Sequence, residues 1–391
     1  MDFHDLKDQT ILVAGAGGFI GGHLVTDLID RGAGAVRAVD VKGFQAWQQI
    51  SPEAENVVLD LRLKEDCEAA VDGCDLVFNL ACDMGGMGFI ENNKALCMMS
   101  VVINTHLLEA SHELGVERFF YASSACVYAA DKQTSPDNPG LRESDAYPAM
   151  PEDGYGWEKL FSERMCRHFY EDFRLETRIA RFHNVYGPHG SWRGGREKAP
   201  AAICRKVIEA QMTGTQEIEI WGDGEQTRSF MCVTDCLKGL YEIALSDNNQ
   251  LPPLNLGSAE MVSINQLVSM VESIANVTLE RRYDLGAPKG VRGRSSNNEL
   301  FRKHFGWEPS VALRQGLEQT YAWIEGEMKS PQKRGPFSTT VATHSPNHAA
   351  SVQKLKDDHP MFDPLSGMQK LRSAKNPLIS RDEDDDNFLP S

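Results

Sequence analysis

No apolar run in this 391-residue sequence approaches the roughly 20 residues that a helix needs to cross a bilayer. The opening MDFHDLKDQT has neither the basic start nor the apolar stretch of a secretion signal, so the expectation is a cytoplasmic protein with no membrane partner. Basic excess is missing too: 40 Lys and Arg stand against 56 Asp and Glu, a formal charge of -16. Such a field repels phosphate polymers, which argues against a nucleic-acid partner and requires any anionic ligand to be held by local cations. Paired Cys-x-x-Cys ligand spacing is absent; the nine cysteines are odd in number and widely scattered. Free thiols in a reducing compartment follow, and no metal site is expected. Cys232 and Cys236, four apart, suit one face of a helix start better than a metal. No internal repeat is present.

What is there is an alternation. TILVAGAGGFIGGHLVTDLIDRG (10–32) reads as a strand, a glycine turn and an amphipathic helix, and the strand AVRAVD follows. Short apolar runs recur in VVLDL, DLVFNLA and ERFFYASSA, with long helices expected over 93–115 and 152–173. Strand and helix in turn imply an α/β fold, a Rossmann-type doubly wound parallel sheet covered on both faces. From about residue 188 polar loops separate short elements, which suggests a smaller C-terminal α/β substrate domain. The expected boundaries are a nucleotide-binding domain over 8–187, with part of 228–258 returning to it, and a substrate domain mainly over 188–330. From 331 to 391 apolar periodicity is lost, and the segment reads as a disordered tail.

In GAGGFIGG the glycines Gly15, Gly18 and Gly21 lie between strand and helix, with Phe19 and Ile20 opening the helix. They permit a tight turn, let backbone approach a pyrophosphate and aim the helix N-terminus at its charge. Glycine turns also close many ordinary loops; here the strand before and the helix after supply the context. Asp40 ends the next strand 19 residues beyond Gly21, where a carboxylate can accept the ribose hydroxyls and repel a 2'-phosphate. The cofactor so predicted is NAD rather than NADP. Asp60 is placed for the adenine edge, and equally suits a strand-end turn.

In YGWEK, Tyr155 and Lys159 are four apart on one helix face. An ammonium lowers the pKa of a neighbouring phenol, so the pair can accept a hydroxyl proton as hydride leaves for NAD. Taken alone, the same spacing describes a surface stacking pair. Ser124 in SSACVY would complete the set by hydrogen-bonding the reacting oxygen.

Over about residues 8–328 these motifs resemble the extended short-chain dehydrogenase/reductase superfamily of nucleotide-sugar enzymes. In that superfamily sugar 4-epimerases usually carry Ser-Ser-Ala-Thr-Val-Tyr at the strand end, and 4,6-dehydratases an Asp-Glu pair. Here Ala125 and Cys126 stand in the middle, so the dehydratase acid and base are missing. With ACDMGGMGFIENN (81–93), RFHNVYGPHGSWRGGREKAPAAICRK (181–206) and GDGEQTRSF (222–230), the chain is similar to the GDP-mannose 3,5-epimerase branch.

The resemblance implies GDP-mannose as substrate, with Cys126 as base and Lys198 as acid of the epimerisation. Seen in isolation, Cys126 would be a small buried hydrophobe and Lys198 a solvated lysine. It further implies that Lys206, Arg228, Arg292 and Arg294 lie near the GDP diphosphate. Asn184, Glu197, Ala199, Gln226 and Thr227 would line the same pocket as Ser124, Ala125, Cys126 and Tyr155. Gly85 would let backbone approach the hexose. A homodimer through helices near 95–114 and 153–171 is also implied. Two rivals stay open: another NAD-recycling nucleotide-sugar 4-epimerase, and a non-catalytic NAD-binding scaffold, against which the Ser124, Tyr155, Lys159 set speaks.

Overall fold

A computed structural model describes residues 6–329. The expected tail at 331–391 lies outside the described residues. The first half runs β1 (Thr10–Ala14), α1 (Phe19–Asp30), β2 (Ala35–Asp40), β3 (Glu55–Val58), α2 (Lys64–Val71) and β4 (Leu76–Asn79). It continues with α3 (Met87–Asn92), α4 (Lys94–Met98), α5 (Ser100–Glu113), β5 (Arg118–Ser124), α6 (Tyr155–Phe173) and β6 (Glu176–Phe182). Then follow β7 (Val185–Tyr186), α7 (Ala199–Thr213), β8 (Glu217–Trp221), β9 (Thr227–Ser229), β10 (Met231–Cys232), α8 (Val233–Ala244) and β11 (Leu254–Leu256). The last elements are β12 (Met261–Ser263), α9 (Ile264–Ala275), β13 (Glu280–Asp284), β14 (Gly293–Arg294), α10 (Glu299–Phe305) and α11 (Leu313–Lys329).

Seven strands form one parallel sheet in the order β3-β2-β1-β4-β5-β6-β11. The order reverses between β1 and β4, and that reversal opens a crevice at the carboxyl ends of the strands. Burial on both faces explains why the strands read as unbroken apolar runs. Ile11 and Val13 of β1 pack toward α1 and α8, with Leu24, Leu28, Leu237 and Leu240. Leu12 and Ala14 pack on the other face, with Cys67, Leu107, Leu108 and Cys166. Each such aliphatic side chain contributes roughly 1.5–3 kcal/mol on full burial. A further core joins α7, α9 and α11 to β8 through Ile203, Val207, Ile218, Leu267 and Leu317. No helix among the described residues is long and apolar enough to cross a membrane.

The helix expected over 93–115 is two helices, α4 and α5, meeting at Met99 with ψ of -14°. Helical periodicity carries on through the join, so the sequence pattern hides it. The join turns the Ser100 hydroxyl inward to accept the Asp83 N–H at 2.9 Å, which fixes the loop after β4.

A buried ion pair ties the end of β5 to α6 and β6. Arg181 on β6 donates to Glu163 on α6 at 2.9 and 2.7 Å, and Ser123 donates to the same carboxylate at 2.5 Å. Both charged side chains are 3% exposed. Substituting Glu163→Leu strands the Arg181 charge and is expected to cost about 3–5 kcal/mol in urea unfolding, whereas the double substitution with Arg181→Met should recover most of that loss.

Candidate active site

The site begins where β1 stops. Gly15 has φ of +85°, and a side chain there would stand 2.9 Å from the Leu80–Ala81 peptide. Gly21 faces it across the turn, with room for no Cβ because one would lie 2.3 Å from the Gly15 carbonyl oxygen. Gly18 N-caps α1 with no side-chain hydrogen bond, and the first turn holds no acidic residue. Its free N–H groups and positive dipole end are therefore left to an anionic ligand. Phe19 and Ile20, in that turn, pack against the core below.

Asp40 ends β2, buried, and accepts the Lys42 N–H at 3.0 Å. Lys42 Nζ sits 3.6 Å from the same carboxylate and donates to the Gly17 carbonyl at 2.8 Å. Asp60 follows β3 and is gripped by Arg62 Nε and Nη2 at 2.8 and 2.5 Å. Burial alone would raise its pKa, but the Arg62 hydrogen bonds outweigh that and hold it below the usual carboxylate value. An adenine edge at Asp60 has to share that carboxylate with Arg62, a partner that nothing in the sequence pattern singles out. An uncapped helix start, glycine-only approach and a carboxylate at the end of β2 fit a dinucleotide such as NAD.

Four of the five residues expected to do chemistry sit at the end of β5, in the turn that follows it and at the start of α6. Ser124 closes β5 and its Oγ accepts the Cys126 N–H at 3.2 Å, capping the single turn that carries Ala125 and Cys126. Tyr155 and Lys159 occupy the first turns of α6, both buried, with Lys159 Nζ 5.6 Å from the Tyr155 ring centroid and 4.7 Å from that of Tyr121. Glu158 Oε2 lies 3.7 Å from Lys159 Nζ. Burial first, then Cys82, Cys126 and Glu158, push the Tyr155 hydroxyl well above its ordinary value, while a hydrogen bond with Ser124 works the other way. Cys82, from the loop after β4, does not stand out in the sequence because it belongs to no spaced motif with Tyr155, 73 residues further on.

Lys198 is the N-cap residue of α7, half-buried, and reaches the same pocket. Burial lowers its pKa, and the thiols of Cys126 and Cys82 act against that shift. Cys126 is 7% exposed and its thiol is pushed up to about 11 by burial and then by Glu152, against the pull of Arg294. The resting thiol is neutral. The loop that delivers Lys198 is clamped to the loop after β4. Gly86 N–H bonds the Arg196 carbonyl at 3.1 Å, and Arg196 returns to the Met84 carbonyl and to Asp83 at 3.0 and 3.3 Å. A Cβ at Gly86 would lie 2.5 Å from the Glu197 carbonyl oxygen, and one at Gly85 would meet Phe89 at 2.8 Å and Arg196 Cα at 3.2 Å. The two glycines thus serve the packing of these loops on each other.

The residues expected around the substrate divide. Arg228 on β9 and Arg294 on β14 are partners in parallel register. Arg294 is buried and donates to Cys126 Sγ at 3.6 Å, so it stands at the thiol. Arg228 donates to the Thr227 and Lys289 carbonyls at 2.7 and 3.1 Å, and burial with the nearby Arg294 brings it down to about 10. Arg292 lies further out, 34% exposed, and is paired with Asp223 at 2.8 Å. Lys206 donates to the Glu219 carbonyl at 2.9 Å, and Gln226 Nε2 to the Trp221 carbonyl at 2.9 Å. Thr227 donates to the Pro136 carbonyl at 2.5 Å, Asn184 to the Ser229 carbonyl at 3.0 Å, and Glu197 accepts the Gly195 N–H at 2.7 Å. Ala199 opens α7 beside Lys198. Glu152, which Arg294 contacts, is equally invisible in the sequence: its partner is 142 residues away.

The sequence model of the NAD dependent epimerase/dehydratase family matches residues 11–257. The chain is 43% identical over 354 residues to GDP-mannose 3,5-epimerase of Arabidopsis thaliana, covering 89% of this chain and 92% of that protein. It is 43% identical over 350 residues to GDP-mannose 3,5-epimerase 1 of Oryza sativa subsp. japonica, covering 88% and 90%. Among solved structures, UDP-glucuronic acid 4-epimerase of Bacillus cereus in complex with NAD shares the fold, with a TM-score of 0.69 and 24% identity over 83% of this chain and 99% of that one.

Replacing Gly21 by Ala forces a methyl against the Gly15 carbonyl and is expected to weaken NAD binding at least about tenfold in titration calorimetry, a loss of roughly 1.4 kcal/mol. Gly326→Ala on α11, where no atom lies within 4 Å of the new Cβ, should leave the affinity unchanged.

Proposed function

This chain belongs to the NAD-dependent epimerase/dehydratase family, and we propose that within it the chain converts GDP-D-mannose to GDP-L-galactose, with GDP-L-gulose as a second product, by inverting carbons 5 and 3 of the mannosyl ring. The observation that carries this reading is the gathering of a phenol, Tyr155, and a lysine, Lys198, around the thiol of Cys126, in a chain 43% identical to curated GDP-mannose 3,5-epimerases. A 4-epimerase needs only the phenol and its lysine; the extra pair calls for proton transfer at carbon.

NAD, when bound, accepts and returns the hydride of carbon 4. Gly15, Gly18 and Gly21 with the start of α1 would hold its pyrophosphate, and Asp40 its ribose. Tyr155 moves the proton of the carbon 4 hydroxyl, Ser124 holds the same oxygen, and Lys159 beneath the ring makes the phenolate less costly. The ketone acidifies the hydrogens at carbons 3 and 5. Cys126 then takes the proton from one face and Lys198 delivers one from the other. Each does what its environment favours only in part: Lys198, with its pKa lowered by burial, releases a proton readily, whereas the thiol must first be ionised. Arg294 and Lys198 are the cations that lower the cost of that thiolate.

A homodimer through the helices near 95–114 and 153–171, which are α4 with α5 and α6, belongs to the same reading. It is supported by Met98, Met99, Trp157 and Phe161, which are 46%, 52%, 45% and 57% exposed. A cytoplasmic location is supported by nine free cysteines.

Incubation with GDP-mannose in deuterated water should place deuterium at carbons 3 and 5; none at either carbon sinks the proposal and favours the 4-epimerase. Cys126→Ala should slow incorporation by about 10²–10⁴-fold, while oxidation at carbon 4, read from the ultraviolet absorbance of reduced cofactor in a single turnover, persists.

A further inference from the structure

Titratable groups face the Cys126 thiol from every side. Glu152 comes from the loop before α6, Tyr155 from α6, Lys198 from the start of α7, Arg228 from β9 and Arg294 from β14. Arg294 divides its guanidinium among three acceptors. Nη1 donates to Cys126 Sγ at 3.6 Å, Nε to Gln133 Oε1 at 2.6 Å, and Nη2 to Glu152 Oε1. Glu152 is itself fastened to the cysteine, because its N–H donates to the Cys126 carbonyl at 3.1 Å. Gly156 closes the same turn, with a Cβ there only 2.3 Å from that carbonyl oxygen. The second carboxylate oxygen of Glu152, Oε2, is buried and has no hydrogen-bond partner among the described residues. An ionised oxygen left in that condition is costly, so packing alone does not account for a carboxylate here.

We propose that Glu152 is a positioning residue that sets the charge of Cys126, by holding the Arg294 guanidinium that would otherwise serve the thiolate. The sequence of events it allows is simple. While Glu152 is ionised and paired, Arg294 is already neutralised and a second anion at sulfur is opposed. When Glu152 takes up the thiol proton on Oε2, its charge is cancelled and the thiolate forms beside the Arg294 cation. The proton passes from sulfur to carboxylate oxygen, so no other reactant is needed. Only the kinetic consequence rests on the epimerase reading; the charge of the thiol does not.

The test is therefore made without substrate. Alkylation of the full-length protein by iodoacetamide is followed at the peptide that contains Cys126, by mass spectrometry, across a pH series. Glu152→Gln keeps the shape and removes the charge. Its midpoint should fall below that of the unaltered protein, and a midpoint lower by one on the pH scale should make labelling at pH 8 about tenfold faster. Glu152→Asp keeps the charge and should label as the unaltered protein does. An unchanged midpoint in Glu152→Gln, or an equally lowered one in Glu152→Asp, overturns the proposal. Should the Gln variant fail to fold, Arg294→Gln is compared with the double variant Arg294→Gln, Glu152→Gln: equal midpoints support action through the guanidinium, and a lower midpoint in the double variant overturns it. Absence of deuterium at carbons 3 and 5 with the unaltered protein would refute the function while leaving this coupling standing.

Discussion

Desolvation at the carboxyl ends of the parallel strands is the constraint on which the site depends. Tyr155, Lys159, Cys126 and Lys198 all have burial as the leading influence on their protonation. Without water to stabilise a charge, each group adopts the form its neighbours favour. The thiol and the phenol keep their protons, Lys159 is held charged by Cys82 and Glu158 against its own burial, and Lys198 is loosened. A doubly wound sheet makes such a pocket cheaply, because both faces are already dry and only the strand ends remain to be covered.

The scaffold spends its own polar groups on keeping those ends in place. Ser123 bonds Glu163 one residue before Ser124, and Arg181 joins Glu163 to the Glu143 carbonyl at 2.8 Å. Tyr128, two residues past Cys126, donates to Asn255 on the strand-edge segment β11, which also meets His183 at 2.8 Å. Burial drives His183 down to about 3, so it stays neutral and adds no charge under the site. The backbone on either side of the Ser124–Cys126 turn is thus held by fully buried bonds, and the turn itself, capped by Ser124, has little freedom to relocate the sulfur.

Much of this was legible in the sequence, for local reasons. The glycine turn, Asp40, and the Tyr155–Lys159 pair each depend on spacing within one strand–turn–helix unit, and spacing is what a sequence displays. The split of α4 from α5 was not, because the change of backbone angle at Met99 interrupts no periodicity, and the Asp83 N–H to Ser100 bond that accompanies it joins residues 17 apart. Nor was Glu152 on Arg294, a charge pairing between residues 142 apart that exists only after folding. Gly85 and Gly86 were visible as a loop signature, yet their steric reason, the approach of Arg196 and Glu197, exists only once two distant loops meet. Arg294 shows the same limit: its motif, GVRGR, marks a basic loop, but its place beside the thiol comes from the β9–β14 register.

That register bears on how a chain of net charge -16 can hold a nucleotide sugar. The basic residues expected near the diphosphate are not free cations waiting in solvent. Arg292 is matched by Asp223, Arg294 by Glu152, and Lys206 lies 3.6 Å from the Glu219 carboxylate. An anion bound by these groups would have to displace carboxylates that already have partners, and its gain would be a difference between two sets of charge-assisted bonds. Arg228 is the exception in kind. It is held by two backbone carbonyls, and burial beside Arg294 has brought it down to about 10, so an arriving anion relieves a cost there as well as making bonds. The β9–β14 register thus sets two buried guanidinium groups side by side, one of them in contact with the Cys126 thiol.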